Sequence, residues 1–208
     1  MRSSNKDHSS FSLPQNCLMY LLIALFVIVL AMSADALVAP TTSSSATKVG
    51  LDLKPASISL KLGLPEYKSE KVDLNSLLAG KKVVILTVPG AFTPGCSKSH
   101  LPSFVNSFDA FKSKGVDSII CTATNDAHVM RFWGADQNCG DKVMMLSDDS
   151  GALVDFMGMA KQEATMKRSQ RYTMVVDDGL ITGWFPGVGT DGVKQPENAW
   201  APNVLENL

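Results

Sequence analysis

Between Lys82 and Ser103 the chain passes from an apolar, β-branched run through a proline–glycine break into a helix start, and no other stretch limits the fold as much. Lys82-Val83-Val84-Ile85-Leu86-Thr87-Val88 has the composition of a strand buried on both faces, the kind found in sheets that carry helices on each side. Pro89-Gly90 ends it. Thr93 suits an N-cap and Pro94 the first helical position, so Cys96 is expected in the first turn, where backbone N–H groups have no partner inside the helix.

A thiol in that place is stabilised as its anion. A free cysteine titrates near ~8.5, and helix N-termini or neighbouring cations bring that to roughly 3.5–7.5. Each unit is worth ~1.4 kcal/mol, so a shift of about two units leaves most of the sulfur nucleophilic at neutral pH. Thr93 can put a hydroxyl beside it.

The stretch Pro89-Gly90-Ala91-Phe92-Thr93-Pro94-Gly95-Cys96-Ser97, continued by His100 and Pro102, resembles the active-site loop of the type II, or atypical, peroxiredoxins. The resemblance runs from about Gly50 to the C-terminus, and Ser103, where many relatives carry glycine, departs from it slightly. It implies that Cys96 is a peroxidatic cysteine set in a loop that begins at Pro89.

After residues 1–48, which read as a leader, the chain alternates strand-like and helix-like patterns without a repeat. Ser57 to Leu62 alternates polar and apolar residues, and Asp73 to Leu78 can form a short helix. Leu101, Phe104, Phe108 and Phe111 recur at helical spacing as one buried face, within which Pro102 should bend the helix. Ser118 to Thr124 reads as the next strand. Asn125-Asp126 caps a helix bearing Val129, Met130, Phe132 and Trp133. Val143 to Ser147 is a further strand, and Asp148-Asp149 caps a helix through Leu153 and Phe156. Tyr172–Val176 and Leu180–Phe185 flank Asp177-Asp178-Gly179, a hairpin signal, and a last helix runs from about Ala201 to Leu208. Such an order predicts an α/β fold, a mixed central sheet with helices on both faces. With the cysteine at the helix start after the central strand, it is a thioredoxin-like sandwich.

Composition excludes several other classes. The net charge is −1, with no long run of lysine or arginine, so nucleic acid has no electrostatic foothold. Aromatic residues are sparse and not interleaved with basic ones. There is no Cys-x-x-Cys, which removes the ordinary dithiol reductase reading. Four cysteines and three histidines without paired short spacing argue against structural zinc.

The remaining candidates have competing readings. Cys121 lies in an apolar strand, where a core cysteine is the default; the resemblance instead assigns it as the resolving cysteine. Other relatives place a resolving cysteine near the C-terminus, where this chain has Asn198. Cys139, in Gln137-Asn138-Cys139-Gly140, is expected to be an incidental surface thiol, and Cys17 belongs to the leader. His100, one turn after Cys96, is either a general base or a hydrogen-bonding anchor of the loop. Arg171 precedes an aromatic-led strand as the family's active-site arginine does, and Arg168 competes with it.

The implied reaction is displacement at a peroxide O–O bond by Cys96, with Thr93 and backbone N–H groups holding the peroxide and Arg171 stabilising the departing oxygen. A sulfenic acid and then a disulfide follow. Hydrogen peroxide and organic hydroperoxides are the implied substrates, thioredoxin or glutaredoxin with glutathione the implied reductants, and a homodimer the implied assembly. The chemistry calls for no metal, flavin or haem. The rival of another class is a thioredoxin-fold module in which Cys96 is a stoichiometric redox sensor.

Residues 1–48 read as a leader and residues 49–208 as the folded domain. Arg2 and Lys6 precede an apolar run from Cys17 to Met32, and Ser33-Ala34-Asp35-Ala36 offers an A-x-A cleavage site, a signal-peptide pattern. The alternative is an uncleaved anchor. Leu37 to Lys48 is rich in serine and threonine and free of acidic residues, as transit peptides are. Together the two segments resemble the bipartite leaders of algae with secondary plastids. They imply entry into the secretory pathway, ending in such a plastid or in secretion, with no membrane span in the mature form.

Overall fold

The computed structural model describes residues 47–163, 165–189 and 192–208. The leader expected over residues 1–48 therefore lies outside the described residues, except for Thr47 and Lys48. Among the described residues no helix is long and apolar enough to cross a membrane.

A mixed sheet of seven strands forms the centre. Its strands are β1 (Ser59–Gly63), β2 (Ser69–Asp73), β3 (Lys82–Thr87), β4 (Ser118–Ala123), β5 (Met144–Ser147), β8 (Tyr172–Asp177) and β9 (Leu180–Pro186), in the spatial order β2-β1-β5-β4-β3-β8-β9. A separate short hairpin pairs β6 (Ala160–Gln162) with β7 (Lys167–Ser169). The strand expected to be buried on both faces is β3, parallel to β4 and antiparallel to β8, with Val83 to Val88 all buried. Alternation along β3 divides the core. Val84 and Leu86 join Leu101, Phe104, Phe111, Cys121, Met130 and Trp133 on one face. Val83 and Ile85 join Ile120, Leu146, Leu153, Tyr172 and Ile181 on the other.

The helices are α1 (Leu74–Leu78), α2 (Leu101–Asn106), α3 (Phe108–Ser113), α4 (Ala127–Asp136), α5 (Ala152–Phe156) and α6 (Ala201–Glu206). Two expected caps are formed: Asp126 accepts from the N–H groups of His128 and Val129 at 2.9 and 3.0 Å, and Asp148 from those of Leu153 and Val154 at 3.2 and 3.0 Å. The helix expected after β3 begins at Pro94, widens into a π-helical turn over Cys96–His100 and continues as α2. Leu101 N–H bonds the carbonyl of Cys96, five residues back. Pro102 explains the widening. It has no N–H for the Lys98 carbonyl, and in a regular α-turn its ring would press on that oxygen. The bend expected at Pro102 thus takes the form of a π-turn just before it.

One expectation is corrected. Cys139 is not a surface thiol but 2% exposed, packed in the same apolar cluster as Cys96 and Cys121. Its flanking residues Asn138 and Gly140 are exposed and take left-handed backbone angles (φ 54° and 50°). The chain turns over at both, which drives the residue between them inward, and Cys139 N–H then bonds the Gly134 carbonyl at 2.9 Å. A polar sequence neighbourhood conceals this.

Candidate active site

The loop that leaves β3 is held at both ends. Val88 N–H bonds the Thr122 carbonyl at 3.0 Å, and Ala91 N–H bonds the Asn125 side-chain oxygen at 2.9 Å. Phe92 adopts a left-handed conformation (φ 57°) and is exposed, folding the loop back over Gly90. Thr93 Oγ1 donates to the Gly90 carbonyl at 2.9 Å. This hydroxyl therefore closes the loop and does not cap the helix, contrary to the sequence expectation. The cap position is still correct for the backbone: the first bond of the helix runs from Ser97 N–H to the Thr93 carbonyl at 2.9 Å. The N–H groups of Gly95 and Cys96 precede it, at the positive end of the turn.

Cys96 sulfur is fully buried, beneath exposed Pro94 and Gly95. Arg171 Nη2 donates to it at 3.3 Å. The same guanidinium reaches His100 Nδ1 through Nη1 at 2.7 Å. Because an arginine only donates, Nδ1 must accept, and Nε2 carries the proton that it gives to the Ala199 carbonyl at 2.9 Å. Burial, and secondarily the Arg171 charge, push the His100 pKa from 6.5 down to about 3. The imidazole is neutral, with both nitrogens engaged. Of the two readings of His100, the anchor fits and the general base does not.

Arg171 comes from the residue before β8, and its stem runs against Gly187, where a Cβ would lie 3.1–3.2 Å from its Cβ, Cγ and Cδ. Glycine there lets the guanidinium lie beside Cys96. Arg168, from β7, takes a different place. Its Nη1 donates to the Pro89 carbonyl at 2.9 Å and fills the space that a Cβ on Gly90 would need. Pro89, Arg168 and Arg171 line a cleft of about 500 Å³ together with Lys161, Lys194 and Val188. Trp133 Nε1 donates to Ser97 Oγ at 3.0 Å and ties α4 to the π-turn.

The structure thus brings Pro89, Thr93, Cys96, His100 and Arg171 into one site. Cys121 lies one strand over, opposite Leu86 of β3, with a fully buried free thiol. Burial drives its pKa well up, and of the nearby thiols Cys139 adds more than Cys96. Sequence reasoning passed over the loop-holding role of Asn125 and the contribution of Thr173, whose hydroxyl also donates to the Ala199 carbonyl, at 2.7 Å, and it weighed Arg168 only as a rival to Arg171 and not as the brace of the Pro89 carbonyl. The Asn125-Asp126 pair carried a partial signal, since Asp126 alone does the capping and leaves Asn125 free to hold the loop.

The chain is also similar to known proteins. The family model described as Redoxin matches residues 40–199. Peroxiredoxin-2E, chloroplastic, of Arabidopsis thaliana is 37% identical over 158 residues, which span 68% of this chain and 68% of that protein. Peroxiredoxin sll1621 of Synechocystis is 43% identical over 122 residues, 57% of this chain and 64% of that protein. The crystal structure of reduced Prx3 from Vibrio vulnificus, in complex with hydrogen peroxide, matches with a TM-score of 0.67 and 34% identity, covering 78% of this chain and 99% of its own.

The buried neutral imidazole makes stability depend on pH with a defined sign. The unfolded chain binds a proton at His100 below about 6.5, whereas the folded chain resists it down to about 3. Between those values the unfolded state holds more protons, so stability falls with acidification, by up to ~1.4 kcal/mol per pH unit from this group. Urea unfolding from pH 6.5 to 4.5 should show wild type losing its advantage over His100→Gln at that slope. A pH-independent difference would contradict the assignment.

Proposed function

The chain belongs to the type II peroxiredoxins, thiol-dependent peroxidases of the thioredoxin-like superfamily, and from that premise we propose that Cys96 is the peroxidatic cysteine and Arg171 its fixed cation. The observation that carries this reading is the 3.3 Å hydrogen bond from Arg171 Nη2 to the Cys96 sulfur. A guanidinium cannot lose its charge in a protein, so Arg171 is a fixed cation beside the sulfur at every physiological pH.

The reaction follows from the contacts. Cys96 thiolate attacks one peroxide oxygen, and the O–O bond breaks with its electron pair on the other. Arg171 and the N–H groups of the first turn face the charge that develops. Thr93 and the Pro89 carbonyl, braced by Arg168, hold the shape of the loop against which the peroxide is aligned. His100 acts on Arg171 and not on the peroxide. As a neutral acceptor with its other nitrogen fixed on Ala199, it keeps the guanidinium turned toward sulfur, which makes it a positioning residue.

The product on Cys96 is a sulfenic acid. We assign Cys121 as the thiol that condenses with it, releasing water and leaving a Cys96–Cys121 disulfide. Cys121 lies in β4 and Cys96 in the π-turn that follows its neighbour β3, and both belong to one apolar cluster. In the reduced protein both are buried free thiols, and opening of the first helical turn would let the sulfurs meet. Gly95, before the π-turn, favours opening there. Thioredoxin, or glutaredoxin with glutathione, would reduce the disulfide, and hydrogen peroxide and alkyl hydroperoxides are the substrates. The plastid is the compartment we favour, supported by the serine- and threonine-rich leader and by the chloroplastic relative from Arabidopsis.

In the full-length chain, Cys96→Ser should abolish peroxide turnover while preserving the thermal transition. Arg171→Gln should slow peroxide consumption by roughly a hundredfold, the loss typical for one charge-stabilising donor, and should slow alkylation of Cys96 by iodoacetamide at pH 7. Alkylation at the wild-type rate would show Arg171 to be misassigned. Steady-state turnover with each reductant system, side by side, identifies the donor: sustained cycling with one supports an enzyme, and a single stoichiometric reaction with both supports the sensor reading. N-terminal sequencing of the native protein should find a first residue between Leu37 and Gly50; an intact Met1 in membranes would mean an anchor.

A further inference from the structure

Cys139 is a buried thiol that the proposed reaction leaves unused, and its surroundings connect it to Cys121. Cys139 N–H bonds the carbonyl of Gly134, the Met145 side chain fills the space a Cβ on Gly134 would need, and Met145 stands directly across from Cys121 in the β4–β5 register. All three cysteines belong to one apolar cluster, and all are free thiols. Their relation to solvent differs. Cys121 is fully buried in the middle of β4. Cys139 lines a cleft of about 440 Å³, with Gly134, Val143 and Met145 also in its walls.

That arrangement bears on how the oxidised enzyme is reduced. A Cys96–Cys121 disulfide would keep the first helical turn open and separate Cys96 from Arg171. It would also present a sulfur from the centre of a sheet to a bulky protein reductant. We propose that Cys139 completes a thiol relay, taking over Cys121 from the Cys96–Cys121 disulfide and presenting the resulting Cys121–Cys139 disulfide to the reductant through the cleft. This rests on the two-cysteine reading given above.

The exchange balances without any further oxidant. Cys139 gives its proton to water in the cleft and attacks the Cys121 sulfur. The Cys139–Cys121 bond forms, the Cys96–Cys121 bond breaks, and Cys96 departs as a thiolate. Two electrons have left the Cys121 and Cys139 thiols in total, and the peroxide has taken them. The leaving group sets the direction. Cys96 returns to the 3.3 Å hydrogen bond with Arg171, which stabilises its negative charge, and thiol exchange favours departure of the better-stabilised thiolate. Burial holds the Cys139 thiol up at about 11, so the attack waits on deprotonation at the cleft. The first turn can then close over a regenerated Cys96 while the enzyme is still oxidised.

The test is acid-quenched peptide mapping of the full-length chain treated with peroxide and no reductant. At one equivalent, Cys96–Cys121 peptides should appear first and give way to Cys121–Cys139 peptides. At two equivalents, a dimedone adduct should form on Cys96 alongside the Cys121–Cys139 bridge. In Cys139→Ser, and in Cys139→Ala as a check on the fold, Cys96–Cys121 should persist and its reduction by thioredoxin should slow about tenfold, as expected when the sulfur bordering the cleft is lost. A free Cys139 at all times beside a stable Cys96–Cys121 bridge would overturn the relay alone. Oxidation of Cys96 with no bridge to Cys121 would overturn the two-cysteine reading with it, and no oxidation of Cys96 would overturn the peroxidase assignment itself.

Discussion

The Arg171 guanidinium, divided between the Cys96 sulfur and the His100 imidazole, is the contact on which the remainder of the site depends. A cation beside a buried sulfur is useful only if its field is not spent elsewhere. A carboxylate in the place of His100 would hold the arginine as firmly but neutralise it. The buried imidazole orients without neutralising, because it accepts one hydrogen bond and brings no negative charge. Gly187, Thr173 and the Ala199 carbonyl support this arrangement from outside, the first by giving room and the other two by fixing the ring.

The rest of the fold keeps this contact in register. β3 and β4 are buried on both faces, so the apolar clusters on either side hold the sheet against displacement. The loop between β3 and the π-turn is short of regular structure but not of bonds. Thr122, Asn125, Arg168 and Thr93 each hold it through a backbone group, at 2.9–3.0 Å. Rigid strands and a laced loop put a strained residue, Phe92, on the surface beside the site.

Much of this was legible in the sequence, and the rest was hidden for physical reasons. Apolar periodicity revealed β3, β4, β8 and β9 and the buried face of Leu101, Phe104 and Phe111, because burial is written directly into residue type. β2, with the sequence Ser-Glu-Lys-Val-Asp, lies at the sheet edge and has almost no apolar signal; charged residues are what an edge strand tolerates. The short β6–β7 hairpin is equally polar, and with it the placement of Arg168 was lost. Cys96 and Arg171 could be found because a long motif and a strand start mark them. Asn125, Gly187 and the inward turn of Cys139 depend on which distant backbone comes near, and no local pattern records that.

The polar ties of the π-turn reach a part of the chain made after the sheet. His100 and Thr173 share the Ala199 carbonyl, and Ser103 Oγ accepts from Ala201 N–H at 3.1 Å. All nine strands among the described residues precede those two alanines. In a chain made from N- to C-terminus, the sulfur is therefore in place well before the ring that aims its arginine has been fixed. A partly made protein carries an unaimed thiol, and the completed fold carries one with its cation turned toward it.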